Sequence, residues 1–282
     1  MPELPEVETI RRELERVLVG RRIKSGEVLW TGTIKPLSSK QFLNKVVGQK
    51  IKKVERRAKV LLIELEDNHL GIHLKMTGQL IYQPKRGAMI AGGHPQGNPF
   101  NYTRVSFNLD DGSKLYFNDL RKFGWLRILS ADHKKILLEK HGVEPLSPQF
   151  TFKKFLELVN RYPNRRIKQT LLDQTLIAGL GNIYVDESCF LAGLGPGRRV
   201  KTLTDLELKK LYAAIKKILT LSISKGGTSS KNYVRSDGSR GGFVAYLKVY
   251  GRGGEPCKKC RTLIVKTKLA GRGTHFCLKC QK

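Results

Sequence analysis

The sequence VSFNLDDGSKLYF, which runs from Val105 to Phe117, indicates the fold of the N-terminal part of the chain. Apolar and polar residues alternate on both sides of Asp111-Gly112, a dipeptide that favours a tight turn between antiparallel strands. Two earlier runs, Val60–Leu65 and His69–Met76, also have the composition and length of strands. These short runs, separated by turns, predict a predominantly antiparallel β-sandwich over residues 1–130.

Helical spacing of apolar residues occurs before and after this region. A first helix is predicted over residues 4–19, because Pro5 lies near its start and Gly20 follows its end. After Ser130 the spacing is again helical, and Thr204-Asp205-Leu206-Glu207 forms a capping box in front of another helix. The chain is therefore predicted to have an α+β fold, with a helical domain after the sandwich.

The rest of the chain divides where its composition changes. Pro84–Asn101 is rich in Gly and Pro and predicts a long loop, and Ser222–Gly242 predicts a flexible basic loop. Phe243–Tyr250 alternates and predicts a short strand in front of the cysteines. We therefore expect three domains, over residues 1–130, 131–242 and 243–282.

The charge balance indicates the class of partner. The 282 residues include 53 Lys plus Arg but 24 Asp plus Glu, for a formal net charge of +29. Such an excess usually serves a polyanionic partner. Nucleic acid is the first candidate and an anionic membrane surface is the second, while a ribosome-associated or simply basic surface is the third interpretation.

Targeting signals are not evident in the sequence. No segment reaches the roughly 18 consecutive apolar residues that a membrane helix requires. The N-terminal residues Met1–Glu6 are acidic and lack the basic-then-apolar order of a signal peptide. We therefore expect a soluble intracellular protein with no membrane partner.

The cysteines predict a metal site. Cys257 and Cys260 form one CxxC pair, and Cys277 and Cys280 form a second pair after sixteen intervening residues. This spacing is typical of a four-cysteine zinc site with a β-hairpin between the pairs. Four protein ligands leave no open position, so we expect one structural Zn²⁺ and no catalytic metal. Cys189, in an apolar helical stretch, is interpreted as a core residue.

Several motifs, in order along the chain, resemble those of the formamidopyrimidine-DNA glycosylase family. They are Met1–Thr9 (MPELPEVET), Arg56–Lys59 (RRAK), His73–Gly78 (HLKMTG), Asp119–Gly124 (DLRKFG), Asp173–Tyr184 (DQTLIAGLGNIY) and the paired cysteines. The resemblance implies an N-terminal β-sandwich with flanking helices, a helical domain with a helix-two-turn-helix, and a zinc-finger hairpin. It also implies base-excision repair of duplex DNA containing oxidised purines, in a monomer of the bacterial cytoplasm and nucleoid.

The same resemblance implies a catalytic set. Pro2, once Met1 is removed, is a secondary amine that can attack the sugar C1′ and form a Schiff base, and Glu3 exchanges a proton at the sugar. Base excision and strand cleavage by β- and δ-elimination follow. Lys59 contacts the phosphate beside the lesion and assists elimination, and Arg272, at the tip of the zinc hairpin, completes the phosphate-binding set.

DNA-binding roles are also implied by the resemblance. His73 and Asn182 are expected to contact phosphates, and Met76, Arg121 and Phe123 to fill the gap that an extruded base leaves. Two departures from the family pattern occur in further segments. Tyr102 stands where a DNA-contacting His is common, and the finger reads AGRGTHF (270–276), with two glycines beside the arginine. The basic loop 226–240 corresponds to the family segment that closes over the extruded base.

Two alternatives stay open at this point. An enzyme of the endonuclease VIII type would prefer oxidised pyrimidines, although the continuation of the N-terminal motif from Leu4 to Thr9 favours the purine branch. A non-catalytic zinc-finger protein that binds DNA or RNA would also explain the charge and the cysteines. Such a protein would leave Pro2 and Glu3 without a role.

Overall fold

The computed structural model describes residues 1–86, 99–229 and 233–282. Most of the predicted loop Pro84–Asn101 and the centre of the loop 226–240 lie outside these described residues. The chain divides into two compact units. The first unit contains Met1–Glu139 with Lys225–Val244, and the second contains Lys140–Ser224 with Ala245–Lys282.

The secondary structure of each unit follows the predicted mixture of helices and strands. The first unit contains α1 (Leu4–Leu18), β1 (Ile23–Val28), α2 (Ser39–Asn44), β2 (Lys53–Arg57), β3 (Val60–Glu64), β4 (His69–His73), β5 (Gly78–Gln83), β6 (Thr103–Leu109), β7 (Lys114–Asp119), β8 (Trp125–Leu129) and α3 (Ala131–Glu139). The second unit contains α4 (Phe152–Asn160), α5 (Ile167–Leu171), α6 (Asn182–Ala192), α7 (Asp205–Ser224), β9 (Val265–Leu269) and β10 (Arg272–Phe276).

Two four-stranded antiparallel sheets form the first unit. Their strand orders are β1-β6-β7-β5 and β2-β3-β4-β8. Along β6 every second residue is buried, and Val105 pairs with Phe117 as the alternation predicts. Side chains of both sheets share one apolar core, which includes Phe107 from one sheet and Ile72 from the other. The predicted antiparallel sandwich is therefore confirmed.

Helix α1 packs its apolar stripe against this core. Val7, Ile10 and Leu14 are fully buried, as helical spacing requires of a stripe that faces one side. Glu3 is the N-cap residue, and the helix ends just before Gly20, which has a φ of +89°. The predicted helix is confirmed, and its first residues are fixed in a buried position.

The second unit is helical, with the zinc-finger hairpin at its C-terminal end. Helix α7 begins at the predicted capping box, in which Glu207 N–H donates to Thr204 Oγ1 and Thr204 N–H donates to Glu207 Oε2. Helix α6 packs against both α7 and β10. Cys189 of α6 is buried, as predicted, and burial raises the pKa of its thiol.

The strand predicted for Phe243–Tyr250 is wrong. Phe243–Tyr246 forms a 3-10 helix, and the residues after it turn. The reason is Glu187 of α6, whose buried carboxylate accepts the backbone N–H groups of Lys248, Val249 and Tyr250 at 2.8–3.0 Å. These donors are satisfied by a side chain, so the segment needs no partner strand.

Residues 225–244 belong to the first unit in the structure, whereas the sequence analysis grouped most of them with the helices. The division into three domains at residues 130 and 242 stays a prediction. Within the described part of the chain, no helix combines the length and the apolar character needed to cross a membrane.

Candidate active site

The N-terminal residues are held at the beginning of α1. Glu3 is 4 % exposed, and its backbone N–H donates to Glu6 Oε2 at 2.8 Å in a capping box. Pro2 is buried beside it, while Met1 is 48 % exposed. With Met1 attached, the nitrogen of Pro2 is part of an amide and has no lone pair for attack. A nucleophilic role therefore requires that Met1 be removed.

Glu6 joins this helix start to the segment 225–244. The carboxylate of Glu6 is 1 % exposed, and its Oε1 accepts the backbone N–H of Thr228 at 2.8 Å. Gly227 has a φ of +81°, and a Cβ atom there would lie 3.1 Å from Oε1 of Glu6 and 3.0 Å from the ring of Tyr233. A side chain at position 227 would therefore be strained by this conformation, and Tyr233 and Glu6 would have to shift by a few tenths of an ångström to admit it.

Tyr233 packs into the core of the first unit beside α1. The hydroxyl of Tyr233 donates to the carbonyl of Gly226 at 3.0 Å. The backbone carbonyl of Tyr233 accepts a hydrogen bond from Ser229 Oγ at 2.9 Å. Burial and the negative charges of Glu6 and Glu13 raise the pKa of Tyr233 well above 10. The described parts of the loop are thus anchored on α1 by a neutral buried phenol and two carboxylates.

The second of these carboxylates is Glu13, which lies about two turns after Glu6 on α1. Its Oε2 accepts both the backbone N–H and the hydroxyl of Ser236 at 2.8 Å, and its Oε1 pairs with Arg235. Ser236 also accepts Tyr82 N–H through its carbonyl, at 2.8 Å. The sequence analysis did not identify Glu6 and Glu13 as site residues. An acidic residue on a helix gives no indication that its partner is a backbone N–H more than 200 residues away.

Lys59 lies in the turn between β2 and β3. It is 8 % exposed, which is unusual for a lysine. The preceding Ala58 has a φ of +53°, a left-handed conformation that costs about 1–2 kcal/mol for a residue with a Cβ atom. The turn thus holds Lys59 in a buried position, and the preceding Ala58 adopts a backbone conformation that alanine does not favour.

Met76, Arg121 and Phe123 lie on two loops that share one buried carboxylate. Asp119 accepts hydrogen bonds from the hydroxyl of Thr77, from Arg121 N–H at 3.2 Å and from Gly124 N–H at 2.6 Å. The structure therefore brings the loop after β4 and the loop after β7 together, as the predicted gap-filling role requires.

The side chains on these loops are exposed. Phe123 is 54 % and Met76 is 43 % exposed, and the guanidinium of Arg121 lies 4.7 Å from the centroid of the Phe123 ring. Exposed large apolar side chains on polar loops are typical of a binding surface. Asp119, which fixes both loops, was quoted in a motif but was not identified as a site residue.

His73 and Tyr102 are both half-buried residues of the first unit. His73, at the end of β4, accepts the backbone N–H of Lys75 through Nδ1 at 2.9 Å. An acceptor Nδ1 places the ring proton of the neutral form on Nε2, which can then donate to an anion. Tyr102 ends the 3-10 helix Pro99–Tyr102 in front of β6.

Asn182 and Arg272 are connected through one carbonyl group of the second unit. Asn182 begins α6, and its Nδ2 donates to the carbonyl of Gly273 at 2.9 Å. Arg272 precedes that glycine and is exposed at the start of β10. The turn before it consists of Ala270 and Gly271, with φ values of +50° and +75°, as in a two-residue hairpin turn.

A buried ion pair supports the same carbonyl. Lys168 Nζ lies 2.6 Å from Asp186 Oδ1 and donates to the carbonyl of Gly273 at 3.1 Å, and both charged side chains are fully buried. Asp186 Oδ2 accepts the backbone N–H of His275 at 2.9 Å. The hairpin that carries Arg272 is thus held to α5 and α6 by charged side chains, which the sequence analysis did not identify.

The four predicted cysteine ligands come together. Their Sγ atoms all lie within 4.8 Å of one another, with 3.9 Å between Cys257 and Cys280 and 3.4 Å between Cys260 and Cys277. A tetrahedron with Zn–S bonds of about 2.3 Å has S···S edges of about 3.8 Å. The cluster therefore fits one Zn²⁺, and the hairpin β9–β10 lies between the two pairs as predicted.

Comparison with protein families identifies three matching segments. A formamidopyrimidine-DNA glycosylase N-terminal domain matches residues 1–126, and a formamidopyrimidine-DNA glycosylase H2TH domain matches residues 141–234. A zinc finger found in FPG and IleRS matches residues 254–282. The last match, together with the cysteine geometry, confirms the predicted zinc site.

Full-length relatives resemble the chain from end to end. It is 43 % identical to the formamidopyrimidine-DNA glycosylase of Desulfitobacterium hafniense, over 100 % of both chains. Among solved structures it is similar to a Lactococcus lactis FPG mutant in complex with Fapy-dG containing DNA, at 36 % identity and a TM-score of 0.86 over 100 % of both chains. It is equally similar to L. lactis Fpg in complex with an abasic site containing DNA, at 36 % identity, a TM-score of 0.86 and 99 % coverage of each chain.

Proposed function

The chain belongs to the formamidopyrimidine-DNA glycosylase family, and from this premise we propose that it excises oxidised purines from duplex DNA and then cleaves the abasic strand. Formamidopyrimidines and 8-oxoguanine are the proposed lesions. The observation that carries the proposal is the match over the complete length to relatives solved with Fapy-dG and abasic DNA, with Pro2-Glu3 at the buried start of α1.

The proposed reaction begins with the amine of Pro2 after removal of Met1. An α-amine has an ordinary pKa near about 8, so part of it is uncharged at neutral pH and can act as a nucleophile. Its lone pair forms a bond to C1′ as the bond from C1′ to the damaged base breaks, and the base leaves with a proton. The proline nitrogen then loses its own proton, and cleavage of the C1′–O4′ bond, with a proton delivered to O4′, gives the iminium. Glu3 exchanges protons at the sugar. Loss of the C2′ proton then expels the 3′ phosphate, and a second elimination expels the 5′ phosphate.

The other residues are proposed to hold DNA. Lys59 and His73 in the first unit, and Asn182 and Arg272 in the second, are assigned to phosphates. Met76, Arg121 and Phe123 are assigned to the gap in the base stack, with Arg121 facing the orphaned partner base. Tyr102 is assigned a DNA contact in the place of the histidine common in relatives. These assignments rest on the resemblance together with the exposure of the gap-filling loops.

The proposed setting follows from the family. We propose a monomer that acts in the cytoplasm, and we assign the net charge of +29 to attraction between the protein and the phosphates of DNA. The zinc finger supplies a rigid base for the hairpin that carries Arg272, and the metal takes no part in the reaction.

Borohydride trapping tests the proposal. The protein with a verified Pro2 terminus is incubated with an 8-oxoguanine duplex, and reduction should convert the iminium into a stable protein–DNA crosslink. The same chain with an uncleaved N-terminal extension is the control and should give no crosslink. Absence of a crosslink with the correct terminus would overturn the proposal and favour a non-catalytic DNA-binding protein. Faster excision of oxidised pyrimidines than of 8-oxoguanine would favour the endonuclease VIII type.

A further inference from the structure

Two hydrogen bonds of Arg56, on β2, point to different elements of the first unit. Its Nε donates to Glu8 Oε2 at 3.1 Å, and its Nη1 donates to the carbonyl of Ala58 at 2.8 Å. The side chain of Arg56 is 11 % exposed and that of Glu8 is 13 % exposed. The bridge therefore lies largely out of water, where hydrogen bonds between charged groups are strong.

Each end of this bridge is close in sequence to a proposed catalytic residue. Glu8 lies on α1, the helix whose N-cap is Glu3. Ala58 immediately precedes Lys59 and has a φ of +53°, a conformation that persists in a residue with a Cβ atom when surrounding contacts hold it. The carbonyl that accepts from Arg56 belongs to this residue, so the bond acts on the backbone that orients Lys59.

We propose that Arg56 is a positioning residue: it clamps the turn that carries Lys59 to the helix that carries Pro2 and Glu3, and so sets the geometry of the proposed reaction. This inference rests on the proposed function. Arg56 need not touch DNA for this role, because it acts through the backbone of Ala58 and through Glu8. The effect of losing it should therefore appear in the reaction rate and not in DNA affinity.

A guanidinium suits this task better than an ammonium. Its donors point in fixed, separate directions, so one group can bond a carboxylate and a carbonyl together. The ammonium of a lysine is compact and flexible, and it carries the same charge without the fixed fork. Arg56→Lys therefore separates positioning from simple charge, since it preserves the attraction to phosphates but not the clamp.

Arg12 offers a matched control on the same carboxylate. Its Nε lies 2.8 Å from Glu8 Oε1, but its side chain is 54 % exposed and belongs to α1 itself. Arg12→Gln removes one positive charge and one hydrogen bond to Glu8, as Arg56→Gln does, without touching the turn. A comparison of the two variants separates the loss of one positive charge beside Glu8 from the loss of the bridge that joins the turn to α1.

The experiment measures single-turnover trapping with saturating enzyme that has a verified Pro2 terminus, and separately measures affinity for a duplex with a tetrahydrofuran abasic analogue. Arg56→Gln and Arg56→Lys should slow trapping by about tenfold to a hundredfold, as small misplacements of catalytic groups do. Their affinities should stay within about twofold of the unsubstituted protein. Arg12→Gln should leave both quantities unchanged.

Two results would overturn the inference. One is a trapping rate for Arg56→Gln equal to that of Arg12→Gln, and the other is a loss of affinity as large as the loss of rate. Glu8→Gln, which keeps Arg56 but weakens its anchor, should give an intermediate rate and serves if Arg56→Gln does not fold. Failure of the unsubstituted protein to trap would contradict the proposed function, whereas normal trapping by every variant would contradict this inference alone.

Discussion

The carboxylate of Glu6 accepts the backbone N–H of Thr228 through Oε1 at 2.8 Å, although the two residues are 222 positions apart in the chain. The other oxygen of Glu6 accepts the N–H of Glu3, also at 2.8 Å. One buried carboxylate thus accepts the backbone N–H next to the proposed nucleophile, Pro2, and a backbone N–H of the segment 225–244. The two are stabilised together.

Glu6→Gln should destabilise the protein by about 1–3 kcal/mol, because an amide has one acceptor oxygen and would turn its NH₂ group toward a second buried donor. Urea unfolding monitored by fluorescence measures the change. Glu15→Gln, which weakens a partly exposed ion pair with Arg11 on the same helix, is the control and should cost no more than about 0.5 kcal/mol. Equal effects of the two substitutions would show that the Glu6 bonds do not contribute.

Lys168→Met should cost about 3–5 kcal/mol, because it leaves the carboxylate of Asp186 buried without its counter-charge. The double substitution Lys168→Met with Asp186→Asn should be less damaging than the single one, since no uncompensated charge then remains. Lys154→Met, which breaks the exposed pair with Glu157, should cost no more than about 1 kcal/mol. Calorimetric unfolding of all three variants ranks their stabilities. A double variant less stable than Lys168→Met would contradict the prediction.

Arg272→Ala should weaken DNA binding and slow cleavage while the zinc content stays at one ion per chain. The arginine is exposed at the start of β10, and the hairpin is held by Lys168, Asp186 and the cysteines instead. Atomic emission measures zinc, and fluorescence anisotropy measures affinity. Loss of zinc in this variant would mean that Arg272 has a structural role.

Affinity for DNA should fall steeply and linearly on a plot of log association constant against log salt concentration. The formal net charge of +29 provides many phosphate contacts, and each neutralised phosphate adds about 0.9 to the slope for duplex DNA. A titration between low and physiological salt measures the slope. A nearly flat plot would show that the positive charge does not serve binding to DNA.

Acid should destabilise the native protein in part through Glu8. Burial raises its pKa, but hydrogen bonds from Arg11 and Arg12 and the charges of Arg11 and Arg56 outweigh this, so the pKa lies below the ordinary value of 4.5. Such a carboxylate stabilises the fold at pH above 4.5, and this contribution is lost as the pH falls through the lowered value.

Glu8→Gln should therefore be less stable than the unsubstituted chain at neutral pH, and the difference should shrink as the pH falls below 4.5. Unfolding midpoints measured in urea across this range give the comparison. Glu157→Gln is the control, because Glu157 also has a lowered pKa but lies on an exposed pair that solvent screens. A stability difference between Glu8→Gln and the unsubstituted chain that grows as the pH falls would contradict a lowered pKa for Glu8.

Local patterns explain why much of the fold could be predicted from the sequence. The alternation around Asp111-Gly112, the capping box at Thr204 and the paired cysteines each describe contacts between residues close in the chain. Such contacts depend on local geometry, which periodicity and spacing report. The four zinc ligands therefore follow from their spacing alone, whereas Met76, Arg121 and Phe123 on the exposed loops are assigned from the resemblance to the family.

The remaining features depend on distant partners. Phe243–Tyr250 has the alternation of a strand, but Glu187 supplies the acceptors that a neighbouring strand would have supplied. Ala58 carries no sign of its positive φ, because glycine is the residue usually associated with that conformation. Lys168 looks like a surface lysine in a basic chain, and only tertiary contacts show that it is buried.

Glu187 also bears on whether the finger can be transplanted. Its neighbour Asp186 binds the backbone of the hairpin, while Glu187 itself binds the backbone that leads into the cysteines. A graft of residues 245–282 onto a foreign scaffold would bring every metal ligand but leave both carboxylates behind. The module boundary for protein engineering therefore falls before α5, because Lys168 of that helix pairs with Asp186 and must travel with the two acidic residues and the cysteines.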